Sequence, residues 1–296
     1  METVICGIQQ IGVGVCDVVE AYNWYIKAFG CDVMIADADG VAERMLPYTG
    51  GKPRRRRAIL AVNLQGGAGF EVWQPMDGNI HKPAAEARLG DYGTFAGRVK
   101  CADLDAAYAH LDRSRRFYAE LVGFDKVIYD ETGTFGDLAP LPGGNGRFRR
   151  VRIAPSGPSE GPLSDIYGQG SIELFQAIEP EQAPVKLYEG RWWGDPGFIQ
   201  LCFDIKNMKG IRERALALGH DFVCDGGEDF KMDAADGHFT YVEDPDGTLI
   251  EFVETFKIPV LPKLGIYLNL KKRDERRKLP RFLLKALRFM RIASIK

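Results

Sequence analysis

The chain has 296 residues, 45% hydrophobic and 27% charged, the proportions of an ordinary globular protein with a substantial core. Its formal charge of −2 is unevenly placed: residues 271–296 carry eleven Lys or Arg against two acids, a net of +9, which leaves −11 for the first 270. No apolar run approaches the roughly 18 residues that a membrane-spanning helix needs, so the body is not expected to cross a bilayer.

Taken in chain order, "GIQQIGVGV" alternates as a strand, and "CDVVEAYNWYIKAFG" reads as a helix with Asp17 as N-cap and Gly30 as its stop. "CDVMIADA", "RAILAVNLQ" and "GFEVWQP" follow as three strands with Gly-rich breaks, so residues 1–78 form a first strand-helix-strand-strand-strand module. Within it, "KPRRRR" at 52–57 runs into a strand, where successive arginines face opposite ways. The pair Arg55 and Arg57 is considered for the inner face and an anionic substrate, although a solvated face is the expectation. No nucleic-acid-binding signature accompanies the run, and no nucleic-acid partner is expected.

A second module covers 93–179, its strands read from "GTFAGRV", "DKVIYDE", "RFRRVRIAP" and "GSIELFQA". Its helical segment is overlong, with Asp103 and Asp112 as two candidate starts. Either two helices survive from a four-copy ancestor or one helix is simply longer. "PGGNGRF" at 142–148 lacks the Lys-Ser or Lys-Thr ending of a phosphate loop and reads as a hairpin connection.

The third module, 196–256, repeats the order: "GFIQLCFDI", the helix "KNMKGIRERALALG", then "DFVCDGG", "HFTYVEDPDG" and "TLIEFVET". Three modules leave one without an intrachain mate, so a homodimer is expected to cover its open face. The middle module is expected to pair with the last, through an ordinary crossover across "EPEQAPVKLYEGRWWGDPG". The tail, 257–296, reads as an extended strap and then a basic amphipathic helix, with Phe282, Leu283, Ala286, Leu287 and Met290 on one face. Docking on the acidic body or on a dimer mate is favoured over contact with an anionic membrane surface.

Cys6, Cys16, Cys31, Cys101, Cys202 and Cys224 show no paired spacing, and the opening residues read as a strand rather than a secretory leader. Reduced thiols in a cytoplasmic protein are expected. Trp73, Trp192 and Trp193, with Tyr25 and Phe70, are candidates for an apolar pocket, with plain core as the alternative.

The phrases "IQQIGVGVCDVVEAYNWYIKAFG", "RRFYAELVGF", "SIELFQ" and above all "DPDGTLIEFVE" resemble the vicinal oxygen chelate superfamily, the group of glyoxalases, extradiol dioxygenases, methylmalonyl-CoA epimerases and bleomycin-resistance proteins. The resemblance implies an α+β chain of βαβββ modules forming cupped mixed sheets. It further implies metal ligands on the first and fourth strands of each module, which lie about 4.8 Å apart as neighbours. Those positions are Gln10, Thr94 and Gln200 on first strands and Glu71, Glu173 and Glu251 on fourth strands, with Thr94 the weakest member.

A carboxylate such as Glu251 inside an apolar strand is tolerated when it is paired or binds a cation. The competing reading pairs each Glu with an arginine, such as Arg55, Arg57, Arg150 or Arg152. None of His81, His110, His220 and His238 falls on a first strand, so the two-His, one-carboxylate iron site of a ring-cleaving dioxygenase loses support. His238, before the DPDG turn, is more often incidental than catalytic at such a place. An oxygen-rich set of Gln10, Glu71, Glu173, Gln200 and Glu251 suits a divalent Mg, Mn, Ni or loosely held Zn.

The expected function is therefore a glyoxalase-like isomerase, epimerase or lyase acting on a small substrate with vicinal oxygens through an enediolate-like intermediate. Glu173 or Glu251 would serve as general base. The alternatives are a metal-free small-molecule binding protein of the bleomycin-resistance type, and a structural remnant that binds neither metal nor ligand.

Overall fold

Capping and alternation build the first module where the sequence places it. The computed structural model describes residues 3–64, 68–83, 86–94, 99–101, 104–168, 170–180 and 182–295. β1 (Val4–Gly14) leads into α1 (Val18–Phe29), and β2 (Val33–Ala42), β3 (Arg54–Val62) and β4 (Gly69–Pro75) follow. The Asp17 carboxylate accepts from the backbone N–H groups of Val19 and Glu20, both at 2.9 Å, satisfying two otherwise unpaired donors. Gly30 closes α1 in the left-handed conformation, φ 63°, that a side chain would disfavour. α1 then buries Val18 and Tyr22 against Ile59, Ala61 and Val72 on the outer face of the sheet.

The middle module comprises β5 (Val99–Cys101), α2 (Leu104–Val122), β6 (Lys126–Gly133), β7 (Arg147–Ala154), the short α3 (Ser164–Tyr167) and β8 (Ile172–Ile178). α2 is one continuous helix, the simpler of the two readings. Asp103 lies outside the described residues, as do the side chains of His110 and Asp112. The third module contains β9 (Gly197–Lys206), α4 (Met208–Ala217), the short β10 (Cys224–Asp225) and β11 (Phe230–Met232), then β12 (Ala235–Glu243) and β13 (Leu249–Leu261).

The modules pair differently from expectation. The large sheet runs β10-β12-β13-β9-β1-β4-β3-β2, so the first module joins the third and the middle one forms its own four-stranded sheet, β5-β8-β7-β6. β1 and β9 meet antiparallel over nearly their full lengths, flanked by the parallel pairs β1–β4 and β9–β13.

The middle module packs back to back with the third. Phe117 and Leu121 of α2, Met208 and Ile211 of α4, and Phe203 and Phe252 of the large sheet share one core with Val151 and Leu174 of the small sheet. A buried polar contact sets its register: the Tyr118 hydroxyl donates to Asp244 Oδ2 at 2.9 Å, and Asp244 Oδ1 accepts from the backbone N–H groups of Asp246 and Thr248. The opposite face of the small sheet, around Phe148, Phe175 and Ala177, is filled by Leu89, Leu138, Phe135 and Leu141 from this chain's own loops. The reason for expecting a homodimer, an uncovered module face, is thereby met within the chain.

The tail is more ordered than a strap. β13 continues through Leu261, β14 (Ile266–Asn269) folds back on it, and α5 (Arg281–Ala286) passes into a 3-10 turn at Leu287–Met290. Leu284 and Leu287 are buried with Val33, Val62 and Ile258, whereas Phe282 is 69% exposed. Leu283, Ala286 and Met290 pack against the same cluster, so the predicted apolar face does meet the body except at Phe282, with Leu284 buried beside it. The favoured docking on the protein's own body is what the structure shows.

Removing the Tyr118 hydroxyl leaves the buried Asp244 short of a donor. Tyr118→Phe is expected to destabilise the protein by about 1–3 kcal/mol in urea unfolding, and an unchanged midpoint would show that the contact contributes nothing.

Candidate metal centre

Period-two alternation along four adjacent strands directs Gln10 of β1, Glu71 of β4, Gln200 of β9 and Glu251 of β13 into the cup of the large sheet. All four are buried, Glu71 at 3% and Glu251 at 5% exposure. Gln10 Nε2 donates to Glu71 Oε2 at 3.2 Å and to Glu251 Oε2 at 3.4 Å, and Gln200 Nε2 donates to the same two oxygens at 3.4 and 3.3 Å. One oxygen of each carboxylate is therefore shared between two amides that come from the two modules.

Backbone economy makes room for this. A Cβ on Gly12 would lie 2.3 Å from the Gln200 Cδ, so only glycine at this point of β1 lets the Gln200 side chain cross over it. Gln10, Glu71 and Glu251 line a cavity of about 520 Å³, whose walls include Trp73, Tyr241 and Trp193.

The electrostatics are unfavourable without a compensating charge. Burial, and then the facing Glu251, drive Glu71 well above the usual carboxylate range. Burial lifts Glu251 to about 7, opposed in part by Cys202, Gln200 and Tyr241 beside it. Among the described residues no three His, Cys, Asp or Glu side chains gather as a metal cluster. The donor set nevertheless fits a divalent cation on two grounds. Two carboxylates match its charge, and the buried Oε1 atoms of both Gln10 and Gln200 have no hydrogen-bond partner. Turning each amide about its last torsion would direct four oxygens inward, a hard-ligand set of the Mg or Mn type.

Two expected members stand elsewhere. Glu173 lies on β8 in the separate small sheet, where Arg150 and Tyr129 both donate to its Oε1, so the arginine-paired alternative describes it and it cannot join the other four. Thr94 precedes β5 rather than lying on it, and is buried in a different part of the chain. His238 pairs with Asp225 at 2.6 Å and His81 with Asp195 at 2.9 Å, both away from the cup.

The arginine run alternates as expected, and Arg55 and Arg57 take the solvated face expected of them. Arg55 and Arg57 point outward to Asp39 and Asp37, while Arg54 and Arg56 are buried. Leu60 and Ala58 continue the inward parity of Arg56, and counting back from them was the signal that could have found it. A second buried network was not foreseen either. Gln9, beside a bulge in β1, donates to Asp204 at 3.1 Å and Thr255 at 3.2 Å, and Lys206 donates to the Thr255 carbonyl at 2.9 Å.

No family model matches the chain, and no curated protein matches it. Among solved structures, glyoxalase I from Zea mays is similar at 12% identity over 85% of this chain and 69% of that one, with TM-score 0.29. A glyoxalase family protein from Bacillus cereus is 13% identical over 59% and 99%, with TM-score 0.36. A mutant 4-hydroxymandelate synthase from Streptomyces coelicolor is 11% identical over 97% and 98%, with TM-score 0.33. At such identities the likeness concerns the fold alone. Repeated βαβββ modules, two of which meet through antiparallel first strands in one curled mixed sheet, make the α+β cupped-sheet fold that the residue order leads one to expect.

Two outcomes follow from the buried acids. The folded-state value of Glu251, about 7 against an ordinary 4.5, means that its contribution to stability is full below pH 4.5 and is lost as pH rises through 7. In chelator, the melting temperature should fall across that window, by an amount of the order of 3 kcal/mol in stability, and Glu251→Gln should flatten the profile. Gly12→Ala should displace the Gln200 side chain, read as a loss of metal affinity in calorimetry with the fold retained by circular dichroism.

Proposed function

We propose that this chain is a glyoxalase-like metal-dependent enzyme, of isomerase, epimerase or lyase type, acting on a small substrate with neighbouring oxygens. The observation that carries the reading is the convergence of Gln10, Glu71, Gln200 and Glu251, two of them acidic residues, with Gln10, Glu71 and Glu251 at the wall of a ligand-sized cavity. A divalent cation there supplies Lewis acidity toward vicinal substrate oxygens and acidifies the C–H beside them.

The chain's own groups do the rest. Glu251, which lines the cavity, takes the proton from the substrate carbon and returns it. Glu173, named beside it as a candidate base, is too firmly engaged with Arg150 and Tyr129 in another sheet. Glu71, with the Oε1 atoms of Gln10 and Gln200, would hold the cation, and Gly12 leaves the room for the Gln200 side chain to do so. Trp73, Trp193 and Tyr241 give the cup apolar walls that keep water from a carbanion-like species.

A second reading, a metal-free binding protein, draws support from the amide N–H donors that each carboxylate already receives. Metal analysis separates the two. After reconstitution with Mg, Mn, Ni or Zn, wild type should retain about one equivalent. Glu71→Gln and Glu251→Gln should each lose more affinity than the roughly 10–100-fold typical of an outer-shell change, and Glu173→Gln should bind as wild type does. Wild type that retains no metal under any of these conditions, yet binds small molecules equally well in chelator, would overturn the enzyme reading in favour of sequestration.

A further inference from the structure

Among the described residues, Arg56 is the arginine of the 54–57 run that forms no salt bridge with a carboxylate. Arg54, more deeply buried, bonds Asp195, Asp77 and the Trp193 carbonyl, and Arg55 and Arg57 each form two-point contacts with an aspartate. Arg56 is 9% exposed, lines the same cavity as Glu71 and Glu251, and makes one long hydrogen bond among the described residues, from Nη1 to the Ala38 carbonyl at 3.4 Å. Its buried Nε has no partner. The guanidinium lies over the Trp73 ring, 5.3 Å from the centroid, and opposite Gly40, where even a Cβ would come within 3.3 Å of Nη1.

Burying a cation without an oxyanion is unfavourable, and a guanidinium edge has the spacing to hold a carboxylate by two hydrogen bonds. Glu71 attracts Arg56 electrostatically but does not hydrogen-bond it. Among the described residues none of the acids around the cavity mouth, Glu43 and Asp233 included, forms a salt bridge with Arg56, although Asp39 attracts it electrostatically. Asp37 and Asp39 are taken by Arg57 and Arg55, Asp229 by Arg44 and Asp236 by Lys257. On its other side the cavity is apolar, with Ile35, Leu60, Val62, Ile258 and Leu287.

We infer that the cavity takes an organic carboxylate with an apolar body, its carboxylate held by the Arg56 guanidinium that lines it and its body seated against the apolar wall. The assignment rests on the proposed function for its setting and names the substrate class of that site: a small apolar acid carrying its vicinal oxygens between Arg56 and the four-residue centre. Arg56 is a binding and specificity residue in this scheme, not a base.

The test is binding to the whole chain, by calorimetry and thermal shift, with and without chelator. The probes are phenylacetate, 3-phenylpropionate and phenylpyruvate, the first two each set beside its neutral primary amide. At least one acid should bind, and those with amide partners should bind about tenfold or more tightly than the amides, the worth of one charge-assisted hydrogen bond. Arg56→Met, which keeps the stem over Trp73, should abolish that preference, Arg56→Lys should restore part of it, and Arg55→Gln should leave it intact.

No binding by any of the acids, or a preference that survives Arg56→Met in a folded protein, would overturn the assignment. Loss of metal affinity in Arg56→Met without any change in acid preference would also overturn it, since Arg56 would then serve Glu71 alone. Acid preference in a wild type that retains no metal would uphold the assignment while removing the enzyme reading. Metal binding without acid preference would do the reverse.

Discussion

Two carboxylates buried face to face in the cup of one sheet are the constraint on which this protein turns. Glu71 and Glu251 come from different modules, and each is removed from water while the other's charge opposes its ionisation. Such a pair persists only with compensation, by shared donors, a proton or a cation. Gln10 and Gln200 provide the donors, and their unpartnered Oε1 atoms are what a cation would use. The β1–β9 seam matters for the same reason, because it brings the half-sites of two modules within hydrogen-bond reach.

The middle module serves the site indirectly. Its helix α2 shares a core with the outer face of the third module, and Tyr118 clasps the DPDG turn from which β13 and Glu251 emerge. Its own inner face is occupied by Leu138 and neighbouring loop residues, and its fourth-strand glutamate is locked to Arg150. The module has kept the βαβββ order while its cup is filled. The tail completes the architecture from the opposite side, where Leu287 seals the apolar end of the cavity.

Arg56 gives the cavity a sense of direction. One end is cationic and aromatic, the centre is rich in oxygen ligands, and the other end is aliphatic. This polarity arises from a single strand, β3, in which every second residue of an arginine-rich run is turned inward and the intervening ones are neutralised on the surface.

Much of this was legible in the residue order. Asp17 and Gly30 marked the ends of α1, the repeated βαβββ order pointed to the fold class, and the family resemblance singled out Gln10, Glu71, Gln200 and Glu251, which strand alternation turns inward. These are local properties, set by capping chemistry and by the two-residue period of a strand. What the tertiary structure alone decided was which modules meet, that Glu173 stands apart from the other four, which phase of the arginine run faces in, and that the open face of the middle module is covered by its own loops. Each of these depends on which strand edges pair and on what fills the space between sheets. Edges present the same backbone groups whatever module they belong to, so the order of residues along one chain does not distinguish the partner that an edge will find.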